Sequence, residues 1–186
     1  FESLDDAFSL HDGWGGGVAS QEYYFNGGAR TFVQNPNPSI GQTFISTITL
    51  LTLSEGQHIL EFLSQDTQGN RENVQLATVA VDNTPPATVL SVSSPSVDAY
   101  VSSSTVLTFS AEDLVVNGLA AGLAETRYRV NGGTLTTSPL SFSLEGTDGS
   151  YLLEFHSRDR LVNEEVSQSR TLLLDRTAPI TTLSAA

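Results

Sequence analysis

Cysteine, methionine and lysine are all absent from this 186-residue sequence. Without cysteine there is no disulfide, thiol nucleophile or cysteine-ligated zinc. Without lysine there is no Schiff-base chemistry, no lysine-type phosphate loop and no Lys–Asn isopeptide cross-link. Because methionine is missing, the chain does not contain its own initiator, and we expect a processed product or an excised fragment without a signal peptide.

The net charge is −13, because 21 acidic residues stand against 8 arginines. A nucleic-acid partner needs a basic surface that releases counterions from phosphates, so nucleic acid is excluded as a partner, and an anionic membrane surface is disfavoured for the same reason. No apolar run is long enough to insert into a membrane. The sequence therefore predicts a soluble chain or the soluble part of a larger one.

An internal duplication organises the sequence. Placing Gly56–Ser91 over Gly149–Ser184 gives 16 identities in 36 positions at a constant offset of 93 residues (149 − 56). Upstream, Gly17–Gly28 matches Gly122–Gly133 at an offset of 105. The first repeat therefore carries an insertion of 12 residues (105 − 93), which we place around Ala29–Ser46.

Each repeat has the length of an immunoglobulin-like sandwich, and its apolar residues alternate with a period of two. In the segment Tyr151–His156, for example, Leu153 and Phe155 share one face, and the lead-in from Asp148 to Tyr151 resembles a tyrosine corner. The Asn-Gly-Gly triplets at 26–28 and 131–133 predict tight turns. Further strands are predicted at Phe8–Asp12, Phe109–Asp113, Ala87–Val92, Glu72–Asp82 and Glu165–Asp175. We predict an all-β fold of two tandem immunoglobulin-like β-sandwich domains.

Three segments together resemble a known family. They are Gly-Leu-Ala…Tyr-Arg-Val-Asn-Gly-Gly at 122–133, Gly-x-Tyr-x-Leu-x-Phe-x-Ser-x-Asp at 149–159 and Asp-x-Thr-x-Pro at 175–179. This pattern resembles the bacterial extracellular immunoglobulin-like repeats that occur in strings in large surface and secreted proteins, and the resemblance covers most of the chain. The first repeat keeps the family's turn, Asp66-Thr67-Gln68-Gly69-Asn70, whereas the second has no glycine there. The resemblance implies extracellular spacing, adhesion or assembly, and rarely catalysis.

The repeats predict domain 1 at residues 1–83, domain 2 at 84–176 and a tail strand at 177–186. The first repeat starts only a few residues before its first predicted strand, while the tail repeats the beginning of an opening strand. Two interpretations stay open. Fragment boundaries fell there, or the tail of one subunit completes the first sandwich of the next copy, giving a head-to-tail filament. The second interpretation assigns assembly to Ile180, Thr181, Thr182, Leu183 and Ser184.

The predicted inter-domain linker consists of Asp82, Asn83, Thr84, Pro85 and Pro86. Consecutive prolines fix φ and favour extended backbone, so this linker would limit bending between neighbouring sandwiches. Function would then depend on length, stiffness and end-to-end contact. The sequence predicts a stalk or filament subunit at the bacterial cell surface, with copies of itself or neighbouring immunoglobulin-like domains as partners.

Aspartate and asparagine recur near the predicted strand ends. The candidate calcium ligands are Asp66, Asn70, Asp82, Asp113, Asp159 and Asp175, with Asp12 and Asn163 at equivalent positions. Strand ends converge at the poles of a sandwich, and Ca²⁺ prefers six to eight oxygen ligands, so a calcium site at a domain junction is one hypothesis. The other is that these side chains cap turns. Apart from calcium, no cofactor is predicted.

Catalytic motifs are missing from the sequence: it has no nucleophile elbow, His-Glu-x-x-His helix or P-loop. The pair Glu164-Glu165 lies on a predicted strand, so the two carboxylates would point to opposite faces, which suits solvent better than acid–base catalysis. We predict that the protein is not an enzyme.

An aromatic platform for a glycan could form from Trp14, Tyr23 and Tyr24. It supports an alternative function, a carbohydrate-binding or spacer module of a secreted enzyme or adhesin. Against it, Trp14 has no counterpart in the second repeat, and a single Trp in a sandwich more often packs in the core.

Overall fold

The computed structural model describes residues 2–4, 16–139 and 141–183, apart from the side chains of residues 3 and 4. Within these ranges all regular secondary structure is β, which confirms the predicted all-β class, and no helix that could cross a membrane is found there. The strands are β1 (Glu2–Leu4), β2 (Val18–Phe25), β3 (Thr31–Gln34), β4 (Thr43–Ile45), β5 (Gly56–Asp66), β6 (Gln75–Val81), β7 (Ala87–Val92), β8 (Ser96–Val97), β9 (Tyr100–Val101), β10 (Leu107–Glu112), β11 (Leu123–Val130), β12 (Thr136–Thr137), β13 (Gly149–Asp159) and β14 (Gln168–Leu174).

The chain forms two compact units. Unit 1 comprises Phe1–Val81 and Asn117–Leu119, and unit 2 comprises Asp82–Val116 and Ala120–Ala186.

Unit 2 contains two sheets with an immunoglobulin-like strand order. One sheet pairs β7 with β10, and Phe142 adds a bridge to Leu107 of β10. The other has the order β12-β11-β13-β14-β9-β8, in which only β14 and β9 are parallel. An immunoglobulin-like sandwich has its opening strands in one sheet, as β7 and β10 are here. Its other sheet has three central strands and a short edge strand, as β11, β13 and β14 with β12 are here.

The core of unit 2 lies between these sheets. Leu153 and Phe155, predicted to share a face, are 0% and 4% exposed and pack in one cluster with Leu90 and Leu107 of the opposite sheet. Tyr151 packs against the same cluster, and its hydroxyl donates a hydrogen bond of 2.9 Å to the backbone oxygen of Thr147. This contact, four residues upstream, is the tyrosine corner that the sequence predicted.

Unit 1 has a four-stranded sheet, β3-β2-β5-β6, and a small sheet that pairs β1 with β4. Its strands β2, β5 and β6 have the same lengths as β11, β13 and β14. The pairing register also matches, because Tyr23 lies opposite Phe62 as Tyr128 lies opposite Phe155. Even the irregularity near the start of β2 recurs near the start of β11. The predicted strand Phe8–Asp12 lies outside the described residues.

Side chains at equivalent core positions are less covered in unit 1. Leu60, Phe62 and Val79 are half-buried. Their counterparts Leu153, Phe155 and Leu172 are at most 4% exposed. Among the described apolar side chains of unit 1, Val18, Leu63 and Val81 are the most buried.

Both predicted Asn-Gly-Gly turns form. Asn26 and Gly27 have φ of 51° and 68°, and Asn131 and Gly132 have 51° and 69°, the two positive values that a type I′ turn needs. The last strands begin at Gln75 and Gln168, three residues later than predicted. The ladder stops early because Arg158 pairs with Glu164 in an isolated bridge that is one residue out of register with β14.

Candidate functional site

Three carboxylates of unit 2 lie close together. Asp82 precedes the double proline, Asp113 follows β10, and Asp159 ends β13. One oxygen from each lies within 4.8 Å of the others. We call these residues the acidic cluster. Asp159 is 1% exposed and the other two are half-buried, so their mutual repulsion has to be offset by hydrogen-bond donors or by a cation.

The turn after β13 supplies donors to Asp159. Its Oδ1 accepts hydrogen bonds from the backbone N–H groups of Leu161 (2.9 Å) and Asn163 (2.8 Å), and its Oδ2 accepts one from the Asn163 amide (2.8 Å). The same amide also donates to the backbone oxygen of Asp82 at 3.0 Å. Asn163 therefore ties two members of the acidic cluster together.

Asp113 and Asp82 receive fewer donors. Asp113 Oδ2 accepts from the N–H of Gly122 at 2.6 Å, and Asp82 accepts from the N–H groups of Thr84 (3.0 Å) and Ala121 (2.5 Å). The other oxygen of Asp113, Oδ1, is buried and has no hydrogen-bond partner among the described residues. An unpartnered buried carboxylate oxygen is costly, and hard oxygen ligands are what Ca²⁺ prefers, so the residues present fit such a cation.

The remaining predicted ligands lie elsewhere. Asp66 and Asn70 belong to unit 1, where Asp66 Oδ1 accepts from the N–H of Asn70 at 2.7 Å and Oδ2 accepts from its amide at 2.7 Å. Partial burial opposes the shift, but these hydrogen bonds outweigh it and hold the pKa of Asp66 below its ordinary value. Asp175 is exposed and caps the N–H of Thr177 at 3.0 Å. Turn capping is thus what the structure shows for Asp66, Asn70 and Asp175, while Asp12 lies outside the described residues.

A network of hydrogen-bonded polar side chains connects three strands of unit 2. The Thr88 hydroxyl of β7 donates to Glu165 Oε1 and lies 2.6 Å from Ser157 Oγ of β13. The Thr88 N–H donates to Glu165 Oε2 at 3.0 Å, and Gln168 of β14 donates its amide to the Thr88 backbone oxygen at 2.9 Å. We call Thr88, Ser157, Glu165 and Gln168 the Thr88 clasp. Thr88 is 3% exposed and Ser157 is fully buried.

The directions of these bonds follow from the number of protons available. A carboxylate can only accept hydrogen bonds, so the Thr88 hydroxyl donates its single proton in the hydrogen bond to Glu165. Ser157 must therefore donate to Thr88, and Thr126, at 2.7 Å, must donate to Ser157. Every hydroxyl in this chain of bonds has a partner, as a buried network requires.

Sequence reasoning missed the Thr88 clasp. The sequence predicts Glu165 on a strand, with its carboxylate on the opposite face from that of Glu164, but β14 starts after Glu165, and its carboxylate is half-buried against Thr88. Its neighbour Glu164 lies 3.2 Å from His156 Nε2 instead. A signal was present, since Ser64, Glu72 and Gln75 in the first repeat are identical to Ser157, Glu165 and Gln168.

The linker and the tail differ in exposure. In the linker, Asp82 accepts from the N–H of Thr84, and Pro86 is buried. In the tail, which we define as residues 177–183, Ile180 and Leu183 are 90% and 99% exposed. Thr181 and Thr182 are also exposed, and Ser184 lies outside the described residues.

Asp148 fixes the start of the tail. Its carboxylate accepts from the Thr177 hydroxyl (2.5 Å) and from the N–H of Arg176 (2.9 Å). The Thr177 bond first, and then the Arg176 bond, lower the pKa of Asp148.

The predicted aromatic platform is not assembled from both tyrosines. Tyr23 and Tyr24 are consecutive in β2, so they lie on opposite faces of the sheet. Tyr23 makes an edge contact with Phe25 at 6.2 Å, and Arg30 lies 5.2 Å over the ring of Tyr24. Trp14 is outside the described residues, so a glycan platform with one tyrosine stays a prediction.

No protein-family model matches the sequence, and no curated protein does. Among solved structures, fibronectin(III)-like modules of Clostridium thermocellum CbhA are 13% identical, with 91% of this chain and 85% of that chain covered and a TM-score of 0.40. A tetra-tandem repeat in the extending region of a large adhesion protein is 21% identical, covering 87% of this chain and 42% of that one, with a TM-score of 0.31. A domain of intimin is 12% identical, covering 94% and 84%, with a TM-score of 0.28. TM-scores this low carry no argument about function.

Proposed function

We propose that this chain is a structural repeat module of a bacterial cell-surface or extracellular protein, a stalk or filament element. The observation that carries the proposal is what the two repeats have in common. Asn26 and Asn131 each accept a hydrogen bond from the neighbouring strand at 2.8 Å, and Asp66 and Asp159 each organise the same five-residue turn. These shared contacts hold strand ends in place, which is the requirement of a spacer.

The strand order of unit 2 suits resistance to tension. The N–H of Leu173 donates to the oxygen of Ala99 at 2.8 Å, and the N–H of Asp175 donates to the oxygen of Val101 at 2.9 Å. These bonds join β9, near the start of the unit, to β14 at its end, and the two strands are parallel. Pulling the chain ends apart loads both bonds in shear at the same time, so they must break together.

Single-molecule force spectroscopy tests this role. Asp175→Pro removes one shear-loaded N–H, and we expect a lower unfolding force for unit 2. Ala178→Pro is the matched control, because Ala178 is exposed and the first repeat carries Pro85 at the equivalent position. Equal unfolding forces for the two variants, or unfolding without a resolved force peak, would count against a load-bearing module.

Head-to-tail assembly is the finer part of the proposal. The tail repeats the segment from Thr84 to Leu90, and its apolar side chains Ile180 and Leu183 are almost fully exposed. An exposed segment that would carry one apolar side chain on each face when extended is suited to addition to another sheet. Light scattering and negative-stain electron microscopy should find oligomers or filaments that disappear when residues 177–186 are removed. A monomer at all concentrations would contradict assembly while leaving the spacer role intact.

The acidic cluster supports a cation-binding role as well. Its three carboxylates lie within 4.8 Å of one another, and Asp113 Oδ1 is buried without a hydrogen-bond partner among the described residues. A bound Ca²⁺ would neutralise this repulsion and join the linker residue Asp82 to β13, which would stiffen the start of unit 2. Calcium titration of the wild type and of Asp113→Asn tests this role.

A further inference from the structure

We infer that Thr181 in the tail of one copy docks between Ser64 and Glu72 in unit 1 of a second copy, and reproduces there the bonds of the Thr88 clasp. This inference rests on the proposed head-to-tail assembly and names the residues that would fix it. It follows from three observations. The Thr88 clasp is complete in unit 2, the equivalent side chains of unit 1 have no such partner among the described residues, and the tail repeats part of the sequence of β7.

Unit 2 provides the template. In strand β7, the residue that hydrogen-bonds to β13 and to the loop before β14 is Thr88. Its N–H and its hydroxyl both donate to Glu165. Two residues further on, Leu90 enters the core of the unit and is 9% exposed. The opening strand is therefore recognised by a hydroxyl at one position and an apolar side chain two positions later.

Unit 1 has the receiving side chains in the same backbone arrangement. The N–H of Glu72 donates to the oxygen of Ser64 at 3.1 Å, as the N–H of Glu165 donates to the oxygen of Ser157 at 3.1 Å. Yet the side chains of Ser64 and Glu72 make no hydrogen bond to any part of the chain that the structure describes, and Glu72 is exposed. We call Ser64 and Glu72 the open clasp.

An apolar surface accompanies the open clasp. Leu60, Phe62 and Val79 are only half-buried. Their counterparts in unit 2 are covered in the cluster that Leu90 of β7 joins. An apolar side chain placed as Leu90 is would remove this surface from water, and such burial is the main driving force for strand addition.

The tail carries the matching side chains. Thr181 and Leu183 stand 93 residues after Thr88 and Leu90, and both pairs are identical. Leu183 is 99% exposed, and no hydrogen bond to Thr181 exists among the described residues. The tail is thus a third copy of the strand that the open clasp fits, and the occupant is the tail of a second copy of this chain.

Sedimentation equilibrium of the full-length chain tests the assignment. Thr181→Val and Glu72→Gln are both exposed changes that leave each unit able to fold. Each should weaken self-association by about tenfold, because Thr181→Val removes the hydroxyl that donates to Glu72, and Glu72→Gln replaces the charge-assisted hydrogen bond with a weaker neutral one. Combining them should weaken it little more than either alone, since residues in direct contact are not additive. Thr182→Val is the matched control and should associate like the wild type, because the next residue of a strand points to the opposite face.

Cysteine pairing tests the contact directly, since the natural chain has no cysteine to interfere. A protein with Ser64→Cys and Thr181→Cys should give a ladder of disulfide-linked oligomers on oxidation, whereas Ser64→Cys with Thr182→Cys should not. Self-association that is insensitive to Thr181→Val would overturn the clasp while leaving head-to-tail assembly standing. A wild-type chain that stays monomeric would overturn both. A disulfide formed only within one monomer would overturn the intermolecular contact.

Discussion

Val162 in the second repeat holds the backbone conformation that Gly69 holds in the first. Their φ values are 71° and 90°, and each residue comes one position before the asparagine that closes its turn. Glycine adopts positive φ without penalty, whereas a β-branched residue meets its own backbone there. The turn is nevertheless formed in both repeats, because Asp159 makes the same hydrogen bonds to Asn163 as Asp66 makes to Asn70.

Val162→Gly should therefore stabilise unit 2. Relief of the left-handed conformation raises the free energy of unfolding by about 1–2 kcal/mol. The greater freedom of glycine in the unfolded chain lowers it by about 0.5–1 kcal/mol. The loss of burial is small because Val162 is 64% exposed. We expect a net gain of about 0.5–1 kcal/mol in the free energy of unfolding, measured by calorimetry or urea titration.

Gly69→Val is the reverse substitution in unit 1 and should destabilise that unit by about 1–2 kcal/mol. The pair of variants controls for the choice of repeat. If Val162→Gly lowered stability, the positive φ of Val162 would not be a source of strain.

Thr88→Val should destabilise unit 2 through the clasp. Valine matches threonine in shape, but it removes the hydroxyl that donates to Glu165 and accepts from Ser157. Leaving buried polar partners unsatisfied costs about 2 kcal/mol. The measurement is the unfolding transition of unit 2. Thr171→Val, on the exposed side of β14, is the control and should change stability by no more than about 0.5 kcal/mol. Equal effects of the two substitutions would show that the clasp contributes nothing.

The strands could be predicted where the two repeats confirm each other. Ala87–Val92 is β7 at its predicted ends, and the Asn-Gly-Gly turns at 26–28 and 131–133 are local signals that short-range sterics decide. The start of β14 could not be predicted in this way. Its position depends on the register shift near Glu164, and apolar alternation carries no information about that shift.

The candidate sites also divide into local features that the sequence predicts and long-range contacts that it does not. The sequence supplied Asp82, Asp113 and Asp159 among several acidic residues, but their proximity depends on contacts between residues 31 to 77 positions apart along the chain (113 − 82 and 159 − 82). Local turn capping, which explains Asp66 and Asp175, produces the same sequence pattern. The Thr88 clasp was missed for a similar reason, because Thr88 and Glu165 are 77 residues apart.

Asp113→Asn should have opposite effects with and without calcium. In EDTA the substitution removes one of three neighbouring charges, and we expect a small stabilisation of unit 2. With Ca²⁺ at a hundred times its dissociation constant, the wild type should gain about 2.7 kcal/mol and the variant almost nothing. Asp175→Asn is the control, because it stands at the position equivalent to Asp82 but outside the acidic cluster. Calcium titrations by isothermal calorimetry and thermal unfolding measure both effects, and identical calcium responses of wild type and Asp113→Asn would refute the site.

Acid should weaken the ion pair between Arg129 and Glu154 in a defined pH range. The hydrogen bond from Arg129 first, and its positive charge second, lower the pKa of Glu154, and the two groups meet at 2.7 and 2.8 Å. A carboxyl whose pKa is lower in the folded state contributes stability above its unfolded pKa of about 4.3, and this contribution is lost as the pH falls through the folded value.

The total stability of the protein will not show this loss cleanly, because protonation also relieves the repulsion of a chain with net charge −13. The comparison with Arg129→Gln separates the two effects, since both proteins share that repulsion almost equally. The wild type should be more stable than Arg129→Gln at pH 6, and the difference should shrink steadily between about pH 5 and pH 3. Arg170→Gln, an exposed arginine on β14, removes the same charge without an ion pair among the described residues, so its difference from the wild type should vary less with pH. A difference for Arg129→Gln that stayed constant, or grew, as the pH fell would contradict the lowered pKa of Glu154. In 0.15 M salt, interactions between charges more than about 8 Å apart are largely screened. The short contact between Arg129 and Glu154 is screened much less.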